Sequence, residues 1–268
     1  MHRPGPRAPS PEEHTVVSLN GKVAIVTGGA SGMGRSTAQL MAAAGAAVVV
    51  SDLDGAKAEA VAKEISADGG SAASVEANVT SAADAARMVA VAVREFGGLD
   101  ILMCNAGIAH NPTPFDELDD ELFDKVFAIN VKGPWLGVRA AREAMKARGG
   151  GSVIITGSVM GIRARPGFSA YAPSKAASNH LARTLALELA GDNIRVNCLA
   201  PVATDTPMLA AFIGARDYDE GKAAFISSIP LGRLATAEDV AHAAVFFASD
   251  EAAFLTGVVL PIDGGRGV

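Results

Sequence analysis

The sequence is short of several residue types, and each shortage closes off a class of function. Its 268 residues include two cysteines, one tryptophan and two tyrosines, and aromatic residues make up 5%. The cysteines, Cys104 and Cys198, sit in apolar stretches that read as buried strands, so they suit small core residues rather than a redox or metal role. The histidines His110, His180 and His242 are isolated, and His2 and His14 lie near the N-terminus, so no metal-ligand spacing arises. There is no basic excess: 23 Lys and Arg against 29 Asp and Glu give a net charge of -6, which argues against a nucleic-acid surface. No apolar run approaches the roughly 18 residues of a membrane span. Residues Met1 to about Ser18 are rich in Pro and Arg and lack the apolar core of a secretory signal. They read as a disordered tail (1–18), and the chain is expected to be cytoplasmic.

What the chain has in quantity is apolar residues, at 49%, with abundant glycine and alanine. From Leu19 onward, short apolar runs alternate with helical stretches: Val23–Val26 then Arg35–Ala44, and Ala47–Val50 then Gly55–Ala67. Later runs are Ser74–Val75, Ile101–Cys104, Val153–Ile155, Ile194–Asn197 and Val258–Leu260. Continuous apolar runs indicate strands covered on both faces. Strand–helix alternation predicts an α/β fold, a doubly wound parallel sheet. Without repeats or a second composition zone, residues 19–268 read as one domain. Thr204 to Ile229 breaks the rhythm; a long excursion after a strand end reads as a lid.

Gly28, Gly32 and Gly34 follow the first strand and open the first helix. Glycines allow backbone to approach a pyrophosphate, and the helix N-terminus supplies N–H groups and partial positive charge. Asp52 stands 20 residues after Gly32, at the end of the second strand. An acid there accepts hydrogen bonds from ribose hydroxyls and repels a 2′-phosphate. Leu53 and Ser31 carry no charge to offset that repulsion, so NAD is expected over NADP. Asp54 reads as the N-cap of the second helix.

Tyr171 and Lys175 are four residues apart, which puts both side chains on one helix face. A phenol beside a fixed ammonium ion is expected to have a lowered pKa and to exchange a proton near neutrality. Pro173 is tolerated only in a first turn, so the helix should start near Tyr171. His110 follows Gly107 on the side where a substrate would lie, and Arg163 and Arg165 fall in the loop before Tyr171.

Taken in order, Thr27-Gly28-x3-Gly32-x-Gly34, Cys104-Asn105-Ala106-Gly107, Asn130, Ser158, Tyr171-x3-Lys175, Asn197…Pro201 and Asp263-Gly264-Gly265 resemble the short-chain dehydrogenase/reductase family from Leu19 to Gly265. The resemblance implies a Rossmann-like domain with a seven-stranded parallel sheet, often assembled as a homotetramer. It implies a catalytic set of Asn130, Ser158, Tyr171 and Lys175, with Asn130 distorting a helix and holding a relay water. The implied cofactor contacts are Gly28, Ser31, Gly32, Met33, Gly34, Asp52, Leu53, Asn78, Val79, Asn105, Ala106, Gly107, Tyr171, Lys175, Pro201, Thr204 and Thr206. Substrate contacts are expected at Ser158, His110, Met208 and Phe212. Three positions depart from the family pattern: Asn78 replaces an acid, Cys104 an asparagine and Val202 a glycine. Asn78 is expected to meet adenine through its amide oxygen, and Val202 to forbid a left-handed turn.

The expected reaction is hydride transfer between NAD(H) and a secondary alcohol or ketone, with a hydrophobic cyclic or aromatic substrate suggested by the apolar lid. A β-ketoacyl thioester reductase is the neighbouring alternative, and a catalytically silent NAD sensor the more distant one.

Overall fold

A computed structural model describes residues 17–268. The expected tail falls almost wholly outside the described residues. The chain runs β1 (Val23–Thr27), α1 (Gly32–Ala43), β2 (Ala47–Asp52), α2 (Gly55–Ala67), β3 (Ser71–Glu76), α3 (Ala82–Phe96) and β4 (Ile101–Cys104). It continues through α4 (Asp120–Phe127), a π-helical turn (Ala128–Lys132), α5 (Gly133–Ala147), β5 (Gly151–Thr156), α6 (Tyr171–Leu189) and β6 (Ile194–Pro201). Then come α7 (Leu209–Ile213), α8 (Tyr218–Ser227), α9 (Ala237–Ala248) and β7 (Val259–Ile262).

The seven strands form one parallel sheet in the order β3-β2-β1-β4-β5-β6-β7. Successive side chains of each strand enter opposite layers. Val23 and Ile25 pack with α3, α5 and α6, whereas Ala24 and Val26 pack with α1, α2 and α9. Both layers are apolar, which is why the strands read as unbroken apolar runs.

Several strands outrun the apolar runs that announced them. β6 continues to Pro201 because its last residues still pair with β7, Ala200 opposite Pro261 and Pro201 opposite Ile262. β7 is the edge strand, where Pro261, lacking an N–H, is tolerated. α1 begins at Gly32 rather than Arg35, so the glycine turn itself becomes the helix N-terminus.

The strand order reverses between β1 and β4. Ligands of open α/β sheets bind in the crevice outside the carboxyl ends of the strands at such a point. The glycine turn after β1 and Asn105-Ala106-Gly107 after β4 flank it. Segment 204–229 carries α7 and α8 and has its own small core, in which Leu209, Ile213, Phe225 and Ile229 meet Val202 and Leu234.

Candidate active site

The crevice is built by mutual locking of its two walls. Thr27 Oγ1 accepts the backbone N–H groups of Asn105 and Ala106 at 3.0 and 3.1 Å. The Asn105 side chain returns two bonds, from Nδ2 to the carbonyls of Thr27 and Gly28. The glycines fit because side chains do not. A Cβ on Gly28 would stand 2.9 Å from Ala106 Cα, and one on Gly34 only 2.0 Å from the Gly28 carbonyl oxygen. Gly28 also has φ +62°, a left-handed conformation that favours glycine. The result is an open groove with Gly28 and Gly32 on one wall and Ala106 and Gly107 on the other. Its shape and its helix N-terminus suit a pyrophosphate.

At one end of the groove stand Asp52, Leu53, Asn78 and Val79. Asp52 ties two turns together: one carboxylate oxygen accepts the Ala30 N–H at 3.0 Å and the other the Asp54 N–H at 3.1 Å. Each oxygen keeps a lone pair for a ribose hydroxyl. Leu53 is 70% exposed and Ser31 makes no side-chain cap bond. Arg35, one turn into α1, is paired with Glu64 at 2.7 Å. Asp54 caps α2 by accepting the Lys57 N–H, as its position suggested.

Asn78 departs from expectation. Its Oδ1 accepts both the Thr80 N–H at 3.0 Å and the Thr80 hydroxyl at 2.8 Å. With both lone pairs used, that oxygen is unavailable to an adenine amino group. The amide presents its NH₂ donors instead.

Met33, Asn105, Gly107, Thr206 and Met208 line both this groove and a second, smaller cavity, so the two are continuous. Tyr171, Lys175, Ser158, Pro201, Thr204 and Phe212 line the second cavity. Thr204 Oγ1 donates to the Val202 carbonyl, and among the described non-glycine residues only Asn193 has positive φ, so Val202 avoids the left-handed turn.

α6 starts at Tyr171, with Pro173 in its first turn. Each early N–H of the helix has its own partner: Tyr171 donates to His110 Nε2, Ala172 to the Phe168 carbonyl and Ser174 to the Ala170 carbonyl. Asn130 lies in the π-helical turn, as a helix distortion would require. Its Nδ2 donates to Ser174 Oγ and to the Ile108 carbonyl, its Oδ1 accepts the Ile108 N–H, and its own carbonyl accepts the Ser178 hydroxyl. Asn130 thus clamps α6 to the strand β4 loop.

Tyr171 and Lys175 share a face and are 5% and 4% exposed. Lys175 Nζ donates to the Thr156 carbonyl at 2.7 Å and stands 5.9 Å from the Tyr171 ring centroid. The anticipated lowering of the phenol pKa by Lys175 is absent from this arrangement. Burial pushes Tyr171 up to about 12, with the Ser158 hydroxyl bond pulling it back only partly. Burial also pushes Lys175 down to about 8. Helical spacing fixed the shared face, but desolvation disfavours both charged forms and outweighs attraction across that gap.

His110 is the substrate contact that moved. It does not line either cavity. It is buried beside Phe168, ring centroids 5.5 Å apart, and is held by the Tyr171 N–H and the Asn111 carbonyl. Met208 and Phe212 do line the second cavity, and Phe212 meets the Tyr171 ring edge-on at 5.1 Å. Met160, Phe225 and Arg266 complete that wall and had no individual sequence signal as contacts. Cys104 and Cys198 are buried free thiols pushed up to about 12 and about 11, consistent with inert core residues. Among the described residues no His, Cys, Asp and Glu cluster could hold a metal, and no helix is long and apolar enough to cross a membrane.

The family described as enoyl-(acyl carrier protein) reductase matches residues 28–266. The 4-formylbenzenesulfonate dehydrogenase TsaC1/TsaC2 of Comamonas testosteroni is 41% identical over 252 residues, spanning 94% of this chain and 100% of the relative. The chain belongs to the short-chain dehydrogenase/reductase family. The 2,5-dichloro-2,5-cyclohexadiene-1,4-diol dehydrogenase LinX of Sphingobium indicum is 40% identical, over 93% of this chain and 98% of its own. A crystal structure of 3-ketoacyl-(acyl-carrier-protein) reductase from Brucella melitensis complexed with NADH superposes with a TM-score of 0.87 at 39% identity, covering 94% of this chain and 100% of that one.

Proposed function

We propose that this dehydrogenase/reductase moves a hydride between NAD(H) and a secondary alcohol or ketone on a hydrophobic ring. The observation that carries the reading is the continuity of the glycine-walled groove, closed by Asp52 at one end, with the cavity holding Tyr171, Ser158 and Lys175 at the other. The relatives named for an aromatic and a cyclohexadienediol substrate support the substrate class. The relative solved with NADH supports the cofactor.

When bound, NAD supplies the hydride acceptor at its nicotinamide carbon, and NADH the donor. The groove residues Gly28, Gly32 and Gly34 would hold the pyrophosphate, Asp52 the adenosine ribose, and Thr206 the carboxamide. Tyr171 Oη takes the proton of the substrate hydroxyl in oxidation and returns one to the carbonyl oxygen in reduction. Ser158 holds that oxygen by a hydrogen bond. Lys175 has three donors; one is fixed on the Thr156 carbonyl and two remain for ribose hydroxyls. The charged lysine on the same helix face favours phenolate, the form that burial suppresses.

Residues 19–268 act as one domain in this reading, with 204–229 as its lid. The exposed Phe246 on α9 and Phe254 after it leave apolar surface that a subunit contact would cover, and the assembly is proposed to be the homotetramer common in the family, in the cytoplasm. Light scattering of the purified protein checks the assembly.

A β-ketoacyl thioester reductase is the second reading, favoured by the 3-ketoacyl reductase likeness. The test for both is NADH formation across cyclic and aromatic secondary alcohols beside NADH consumption with acetoacetyl-CoA. Turnover of ring alcohols supports the first reading; turnover of the thioester alone replaces it. Tight NAD binding with no turnover of either leaves only a sensor.

A further inference from the structure

One feature of the substrate side is not accounted for by hydride chemistry. Arg266, after β7, lines the same cavity as Tyr171 and Ser158. It also lines an adjoining, more open cavity with Arg163 and Arg165, and the two cavities share Val159 and Met160 as well. The guanidinium carbons of Arg165 and Arg266 lie 4.8 and 5.7 Å from the Phe225 ring centroid, on a side chain of the catalytic cavity wall. Arg165 also lies 5.0 Å from the Phe168 ring, which packs on Tyr171.

None of these cations is neutralised by a direct ion pair, although Asp263 lies near enough to Arg266 to attract it. Among the described residues, none of Arg163, Arg165, Arg216 or Arg266 forms an ion pair. Arg165 Nη1 is buried without a hydrogen-bond partner. Asp263 is the acid lining the outer cavity, and its two oxygens accept the Gly265 and Gly267 N–H groups at 3.0 and 2.8 Å. Arg163 uses one nitrogen on the Arg266 carbonyl. Burial and then mutual repulsion lower the pKa of Arg165, through Arg266 and Arg216, and of Arg266, through Arg163, with Asp263 opposing the last in part. A guanidinium nitrogen buried without a partner is costly, and the fork of an arginine matches an oxyanion such as a carboxylate or sulfonate.

We propose that Arg266, backed by Arg165, selects substrates that carry a carboxylate or sulfonate on the ring, away from the carbinol carbon that meets Tyr171. This deepens the reading of the site as a ring-alcohol dehydrogenase and rests on it. The phosphate of a carrier thioester offers similar chemistry, but its long arm separates it from the reacting carbonyl. Arg266 shares a cavity with Tyr171, which favours a ring acid.

The test compares 4-hydroxycyclohexanecarboxylate with 4-hydroxycyclohexanecarboxamide as substrates with NAD. Calorimetry of cyclohexanecarboxylate and cyclohexanecarboxamide binding to the NAD-loaded enzyme runs beside it. The acid should exceed the amide by about 30-fold in kcat/KM, the value of a charge-assisted bond. Arg266→Gln should erase that preference through KM, and Arg266→Lys should keep part of it. Arg165→Gln, expected to weaken it less, serves if Arg266→Gln does not fold. Equal use of acid and amide, or an equal loss on both in Arg266→Gln, overturns the proposal. So does an Arg266-dependent KM for acetoacetyl-CoA without any preference for the ring acid. A change of assembly state in Arg266→Gln with the preference intact would assign the arginines to a second copy of the chain and also overturns it. If the carboxylate binds more tightly than the amide, Arg266→Gln removes that difference, and neither alcohol is oxidised, the anion site stands and the hydride reading fails.

Discussion

The backbone N–H of Tyr171 donates to Nε2 of His110 at 3.3 Å, while Nδ1 of the same ring donates to the Asn111 carbonyl at 2.7 Å. A backbone N–H can only donate and a carbonyl can only accept, so the ring proton resides on Nδ1. His110 therefore positions the start of α6, and with it the phenol. His110→Ala should destabilise the fold by about 1–3 kcal/mol for an orphaned N–H, more with the lost contact to Phe168. It should lower kcat more than it weakens NAD binding. Chemical denaturation and steady-state kinetics check both effects; a neutral result on kcat would remove the positioning role.

Lys175 is held for function at a cost in stability. Its pKa falls from 10.5 to about 8 through burial, equivalent to about 3 kcal/mol against the charged form. Below pH 8 the lysine is charged in both folded and unfolded chains, and the full penalty applies. Between about pH 8 and 10.5 the folded form has released its proton and the unfolded form has not, so stability from this group rises with pH. Lys175→Met should therefore raise Tm at pH 7, offset in part by the unpaired Thr156 carbonyl, and lose activity. The gain should shrink as pH rises through that window. Thermal melts of both proteins at several pH values read it out.

Asp52 sets the preference between cofactors. Asp52→Ser removes the charge that would face a 2′-phosphate while keeping a hydroxyl acceptor. The ratio of kcat/KM for NADP to that for NAD should rise at least about tenfold, the effect of one removed like-charge contact. Wild-type enzyme more efficient with NADP than with NAD would contradict this assignment.

Asn78→Asp supplies an oxygen that Thr80 does not occupy. One carboxylate oxygen can keep both Thr80 bonds and the other is free to accept from adenine. KM for NAD should fall by about two- to tenfold, one net hydrogen bond. An unchanged KM would show that adenine does not reach this residue.

Much of this could be read from the chain because each signal was local. Glycines at 28 and 34 reported a backbone approach that no Cβ permits, Gly32 a left-handed φ of +51°, and Tyr171-x3-Lys175 with Pro173 both a helix start and a shared face. The unbroken apolar runs reported two covered sheet faces. What escaped the sequence depends on neighbours distant in the chain or on competition within a turn. The pKa of Tyr171 follows from burial under Phe168 and Phe212, not from its spacing to Lys175. Asn78 spends its oxygen on Thr80, two residues away, in a turn whose geometry spacing alone does not specify. His110 and Tyr171 meet across 61 residues, and Arg266 reaches the catalytic cavity from beyond the last strand.

Tyr171→Phe, assayed for kcat with a ring alcohol and for NADH binding by fluorescence, tests the core of the mechanism most directly. Loss of the proton acceptor should lower kcat by about 10²–10⁴-fold with the NADH Kd within about twofold of wild type. A variant within tenfold of wild-type kcat, still binding NADH, would contradict a proton transfer through the Tyr171 hydroxyl.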